Sequence, residues 1–154
     1  MPVPPAAAAT ALPVTWAPRR NRVVLYALCA VMVVLFSVLA VVLPESWQFN
    51  DRAMMVGSGL LFAAVGVMLA RPQVVADEAG LTVVNFVRSR RLSWAEVVRV
   101  NFRAGDPWVV LDLADGTALA AVGIQPGGGR EQAIAAARAL RDLVEQRGTG
   151  GQRP

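Results

Sequence analysis

The run Val23 to Leu43, VVLYALCAVMVVLFSVLAVVL, holds 21 residues without a charge, and only Tyr26, Cys29 and Ser37 lend it any polarity. As a helix it extends about 31 Å, matching the hydrocarbon core of a bilayer. A long helix of a soluble protein normally keeps one polar face, and this run has none. A cleaved signal peptide has a shorter apolar stretch close to the start, whereas this one follows 22 residues of Pro/Ala-rich sequence. A second charge-free run, Ala53 to Ala70, reaches about 27 Å, which is short but sufficient for a span. The two together predict a transmembrane α-helical hairpin over residues 23–70.

Arginine placement orients that hairpin, because cytoplasmic flanks are enriched in positive charge. Arg19, Arg20 and Arg22 precede the first run, Arg52 alone lies in the connection, and Arg71, Arg88, Arg90 and Arg91 follow the second. Both termini are therefore expected in the cytoplasm of a two-span protein of the cell membrane. The connection PESWQFNDR, Pro44 to Arg52, becomes a short extracytoplasmic turn. Trp47 and Phe49 then sit at the headgroup level on that side, with Trp16 and Tyr26 on the other. Gly59, Ala63, Gly66 and Ala70 recur every three or four residues, forming a seam of small side chains on one face of the second helix. Such a seam packs against the tethered first helix or pairs two copies of the chain as a homodimer.

Composition closes several routes to chemistry. The chain has 154 residues, no histidine, no lysine and a single cysteine, Cys29; its apolar content is 55% and its mean hydropathy +0.47. Zinc sites of the Cys/His type, a histidine-dependent nucleophile and an internal disulfide are all excluded. Asp112 with Asp115, Glu96 and Asp106 fall in or beside turns, where carboxylates bond local backbone rather than work as catalytic pairs. PGGG, Pro126 to Gly129, lacks the lysine and spacing of a phosphate loop and reads as a connector. The expectation is a non-enzymatic protein with no cofactor and no metal.

Outside the hairpin, residues 1–22 read as a disordered cytoplasmic segment, Pro/Ala-rich and uncharged through residue 15, and residues 148–154 as a flexible Gly-rich tail. Residues 71–147 change to short β-type runs broken by turns. Gln73 to Asp77 and Leu81 to Val87 form a hairpin across DEAG, Arg90 to Ser93 is a short strand, and Ser93 to Glu96 is a turn with local capping. In Val97 to Arg103 the alternation places Val98, Val100 and Phe102 on the buried face. Pro107 to Ala114 and Thr117 to Ile124 flank Asp115-Gly116, a two-residue hairpin turn that directs Val109, Leu111 and Leu113 to the core. From Arg130 to Arg147 an amphipathic helix carries Ile134, Ala137, Leu140 and Val144 on one stripe, with Arg138–Asp142 and Arg141–Glu145 spaced to pair on its outer surface. Six antiparallel strands and a C-terminal helix make a small all-β sandwich or split barrel.

This order of elements resembles a pleckstrin-homology-like domain. The run AD-x-x-GLTVVN-x-x-R-x-RRLSWAEV-x-x-V-x-F at Ala76 to Phe102, with GDPWVVLDLADG at Gly105 to Gly116 and GIQ before the helix, resembles the bacterial family named for low-molecular-weight protein antigen six. That resemblance, over residues 16–147, implies two membrane helices ahead of the domain. Pleckstrin-homology domains have seven strands against the six read here. Those that bind phosphoinositides use basic residues in the first strand pair, whereas Asp77-Glu78 makes this first turn acidic, so headgroup recognition does not carry over.

Two functions follow as expectations. The first is a module tethered at the cytoplasmic membrane face that binds a protein or peptide partner through an open sheet edge. The alternative is a sensor of anionic lipid through Arg88, Arg90 and Arg91, placed at the turn between the second and third predicted strands. Ten arginines against nine acids over residues 71–147 leave a net charge of +1, so no nucleic-acid partner is expected.

Overall fold

The structure, a computed structural model, describes residues 11–148. The disorder expected of residues 1–10 and the flexibility expected of 149–154 fall outside the described residues. Two compact units divide the chain, residues 19–71 and the remainder on either side.

Residues 19–71 form the hairpin of α1, Arg19–Val42, and α2, Phe49–Leu69. Each helix is long and apolar enough to cross a membrane, and almost none of its apolar stretch is buried. Both helices begin four residues earlier than the apolar runs, because an apolar run marks the stretch suited to hydrocarbon rather than the ends of a helix. Arg52 is consequently not in the connection but in the first turn of α2. Its guanidinium donates to the carbonyls of Ala40 (2.6 Å), Val41 (3.3 Å), Leu43 (2.8 Å) and Pro44 (3.1 Å). A helix leaves its last carbonyls without intrahelical partners, and here one side chain on the returning helix takes up those at the end of α1. Asp51 closes the start of α2 by accepting the Gln48 N–H at 3.0 Å.

The small-residue seam lies within the hairpin. A Cβ at Gly59 would stand 2.8 Å from that of Phe36, and one at Gly66 would collide with the Cys29 sulfur. Cys29 Sγ lies 3.5 Å from the Ala63 carbonyl, and the Phe36 and Phe62 rings stack with centroids 5.9 Å apart. Ala70, the last of the four, is buried at the end of α2. Close helix approach at glycine gains dispersion contacts that lipid tails cannot supply to a backbone.

The second unit is two antiparallel sheets closed by a helix. One sheet has the order β1-β2-β3-β4, from Val14–Trp16, Gln73–Asp77, Gly80–Val84 and Ser89–Leu92. The other is β5-β6-β7, from Val97–Asn101, Val109–Leu113 and Ala118–Ala121. Helix α3, Arg130–Arg147, packs chiefly along β5. Among the described residues there are seven strands, not six, and β1 is the one unforeseen. It lies in the segment expected to be disordered, pairing Val14 with Ala76 and Trp16 with Val74. A three-residue strand between Pro13 and Pro18 is too short to show a period, and it exists because β2 offers it an edge. The domain therefore begins before the hairpin, and α1 and α2 are the connection between two paired strands.

The core is shared by both sheets and α3: Val74, Leu81, Val83, Leu92, Val109, Leu111 and Leu140 are all almost fully buried. Two details of the strands differ from expectation. A bulge between Val97 and Arg99 turns Val98 out to 65% exposure and buries Val97 instead, because the extra residue shifts the alternation. The β6–β7 loop has three residues, Ala114 to Gly116, since Leu113 N donates to Thr117 O at 2.8 Å and Gly116 takes φ +80°. This is a turn followed by a left-handed glycine, and Val109, Leu111 and Leu113 remain buried as expected.

The sheets are held to each other at one end by Asn85, just after β3. Its Nδ2 donates to Ala120 O at 2.7 Å, and its Oδ1 accepts the Val122 N–H at 3.2 Å. Close by, Gly123 rests on β2, where an added Cβ would lie 2.5 Å from Gln73 Cα. Replacing Asn85 by Ala strands one carbonyl and one N–H. The expected loss is about 1–3 kcal/mol of stability, read as a lower urea midpoint of the full chain in detergent micelles. A change within about 0.5 kcal/mol, the size of an ordinary surface substitution, would contradict the bridging role.

Candidate functional site

Of the arginine trio, only Arg88 lies at the β3–β4 turn; Arg90 and Arg91 are within β4. Arg90 pairs with Asp115 of the β6–β7 loop at 3.3 Å, linking the two sheets, and Arg91 pairs with Asp77 at 3.1 Å. Asp77 also accepts the N–H groups of Ala79 and Gly80, both at 2.9 Å, so the acidic first turn organises itself. Its neighbour Glu78 pairs with Arg147 at the end of α3. Arg88 makes no ion pair among the described residues.

The expected turn at Ser93 is a 3-10 helix, Trp94–Glu96, in which Glu96 accepts both the Ser93 N–H (2.7 Å) and the Ser93 hydroxyl (2.9 Å). Those two bonds hold the Glu96 carboxyl below its ordinary pKa. Asp115 is lowered likewise, first by the Thr117 hydroxyl and N–H and then by Arg90. Trp94 turns inward and donates its indole N–H to Asp77 O at 3.1 Å, joining the turn to β2. Both carboxylates, Glu96 and Asp115, are thus engaged in their own turns, with Arg90 acting on each. Among the described residues no group of three or more His, Cys, Asp or Glu could hold a metal ion.

A second group of arginines without carboxylate partners among the described residues lies along β5 and α3. The expected pairs Arg138–Asp142 and Arg141–Glu145 do not form; Arg141 instead donates to Val100 O on β5, at 3.0 Å. It does so because α3 packs close enough along β5 for a long side chain to reach the strand's edge carbonyl. Beside this contact runs a groove of about 340 Å³ lined by Val98, Arg99, Asn101, Arg141 and Glu145. A cleft of about 330 Å³ lies further along, lined by Phe102, Arg103, Arg130, Ile134, Arg138 and Arg141. Arg141 borders both. No acidic residue lines the second cleft. The nearby Asp106 is engaged with the Arg103 N–H at 2.7 Å. Ile134, expected in the core stripe, is only half-buried and forms part of the cleft floor, while Ala133 and Leu143 take core positions. The sequence signal for this site was the four arginines spread between residues 103 and 141, whose convergence depends on α3 lying against β5.

Seven strands in two antiparallel sheets with a C-terminal helix are the architecture of a pleckstrin-homology-like domain. Residues 71–143 match the family described as the bacterial PH domain. The match is coarser than the antigen-six family suggested by Ala76 to Phe102. In this PH-like domain the family region begins after α2, so β1 lies outside it. Uncharacterized proteins of Mycobacterium tuberculosis and Mycobacterium bovis are 34% identical to the chain over 98 residues, covering 64% of this chain and 63% of theirs. The chain thus matches a little under two thirds of the length of these relatives. No solved structure matches it at comparable significance. PH-like domains are generally binding modules, and no catalytic family is indicated.

The Ser93–Glu96 contact gives the PH-like domain a pH signature. A depressed folded pKa contributes stability above the ordinary glutamate range, and that contribution disappears as pH falls through the folded value. Ser93→Ala removes the hydroxyl bond, so the Glu96 titration followed by carboxyl NMR should move up toward the ordinary value. An unchanged midpoint would show that the hydroxyl plays no part.

Proposed function

We propose that the chain is a membrane-anchored, non-enzymatic PH-like module that binds an extended segment of a protein partner along the β5 edge at the cytoplasmic face. The hairpin supplies the anchor. Its outward surface is apolar throughout, with Val34, Val41, Phe62 and Met54 exposed, which in water would be a large unfavourable patch and in lipid is not. Arginines at the start of α1 and after α2 favour cytoplasmic ends, and Arg52, the one arginine at the opposite end of the hairpin, is occupied by four carbonyls.

The observation that carries the binding reading is the groove between β5 and α3. β5 is an edge strand, one wall is a helix, and the bulge presents Val98 outward beside it. An edge strand offers backbone donors and acceptors to an incoming strand, and a flanking helix offers side-chain pockets. Arg141 holds the Val100 carbonyl until a partner N–H takes its place. The alternative, a sensor of anionic lipid, keeps Arg88 as the member of its trio without a carboxylate. A single arginine near a charged surface contributes about 1 kcal/mol, which is weak anchoring beside two spans.

Peptides selected from a random displayed library on the full-length chain in phosphatidylcholine nanodiscs test this reading. Val98→Glu, at an exposed position, leaves the core intact and should weaken the selected peptides by about tenfold, or about 1.4 kcal/mol. Peptides that bind the Val98→Glu chain as tightly as the native one would refute docking at β5.

A further inference from the structure

We infer that the docked segment is acidic at one end, and that Arg103, Arg130 and Arg138 read that end. The inference deepens the β5 docking reading and rests on it. β5 and α3 run alongside each other, so the groove at Val98 and the cleft at Phe102 succeed one another with Arg141 between them. Their charges differ. The Val98 end carries Arg99 and Arg141 with Glu145, whereas the Phe102 end carries Arg103, Arg130, Arg138 and Arg141 with no acidic lining residue.

Four guanidinium groups around one cleft repel each other. Three arginines elsewhere in this domain are neutralised: Arg90 by Asp115, Arg91 by Asp77 and Arg147 by Glu78. None of the four at the cleft has a carboxylate within ion-pair distance among the described residues, although Asp142 and Glu145 follow Arg138 and Arg141 by one helical turn. Only Arg141 is engaged, and with a neutral carbonyl. Guanidinium matches carboxylate in a planar, two-point geometry, so converging unpaired arginines select aspartate and glutamate over neutral side chains. The floor of Phe102, Ile134 and Ala137 accommodates the methylene groups that carry those carboxylates. The arrangement also gives direction, since a segment with acid at only one end satisfies the cleft in one orientation along β5.

The same library selection, read for composition, decides the point. Peptides recovered on the native full-length chain in phosphatidylcholine nanodiscs should be enriched in Asp and Glu clustered at one end. A synthetic representative should bind the triple variant Arg103→Gln, Arg130→Gln, Arg138→Gln about tenfold more weakly or worse, and should lose affinity for the native chain as salt rises. All three side chains are exposed and make no ion pair, and their removal relieves mutual repulsion, so the triple variant should unfold at or above the native midpoint, and that is checked alongside. Val98-sensitive peptides without acidic enrichment, or acidic ones indifferent to the triple variant, overturn the acidic specificity and leave β5 docking standing. Recovery of no Val98-sensitive peptide overturns both.

Discussion

Three residue pairs between β1 and β2 govern the organisation of this chain. Val14, Thr15 and Trp16 lie opposite Ala76, Val75 and Val74, and the whole of α1 and α2 is inserted between them. Because the strands are antiparallel neighbours, the chain leaves the sheet at Trp16 and rejoins it at Gln73 from the same end. Whatever the two helices do in between, they must return to where they started. An even number of long helices satisfies that demand, and the hairpin provides two. The Arg52 contacts at the far end and the glycine contacts along the seam fit a hairpin whose helices are matched in length and closely apposed.

The insertion also bears on what the domain can recognise. A PH-like domain that bound lipid headgroups through its first strand pair would need the β1–β2 connection for that task, and here the connection is the hairpin. The acidic residues at the end of β2 serve internal purposes: Asp77 organises its own turn and takes Arg91, and Glu78 takes Arg147. With Asp115 engaged by Arg90 as well, the near-neutral domain becomes uneven. Three of its acids, Asp77, Glu78 and Asp115, pair with arginines away from the β5–α3 cleft, while the arginines lining that cleft keep their charge exposed. Recognition in this account lies in that imbalance rather than in net charge.

The parts legible in the sequence were those fixed by short-range pattern. Unbroken apolar runs identified the two long helices, alternation at Val109, Leu111 and Leu113 identified a core strand, and the amphipathic stripe identified α3. The parts that were not legible depend on contacts distant in sequence. β1 has three residues and no pattern of its own. Val98 and Val97 exchange faces through a bulge that an alternating run cannot reveal. Arg138 and Arg141 had acids at helical spacing, yet Arg141 reaches the neighbouring strand across 41 residues of chain. The candidate cleft was invisible for the same reason, since Arg103 and Arg130 meet only once α3 lies along β5. The role of Asn85 was not legible either, because its partners Ala120 and Val122 lie on and just after β7, in the other sheet's part of the chain.

The central claim is that the hairpin crosses a bilayer twice and holds the PH-like domain on the cytoplasmic side. In a Cys29→Ser background, a single cysteine is introduced at Ser46 in the helix connection or at Glu131 on α3, both exposed positions. A membrane-impermeant maleimide applied to intact spheroplasts should label the Ser46 position at once and the Glu131 position only after lysis. Labelling at Glu131 in intact spheroplasts, or no dependence on lysis at either position, would contradict the account.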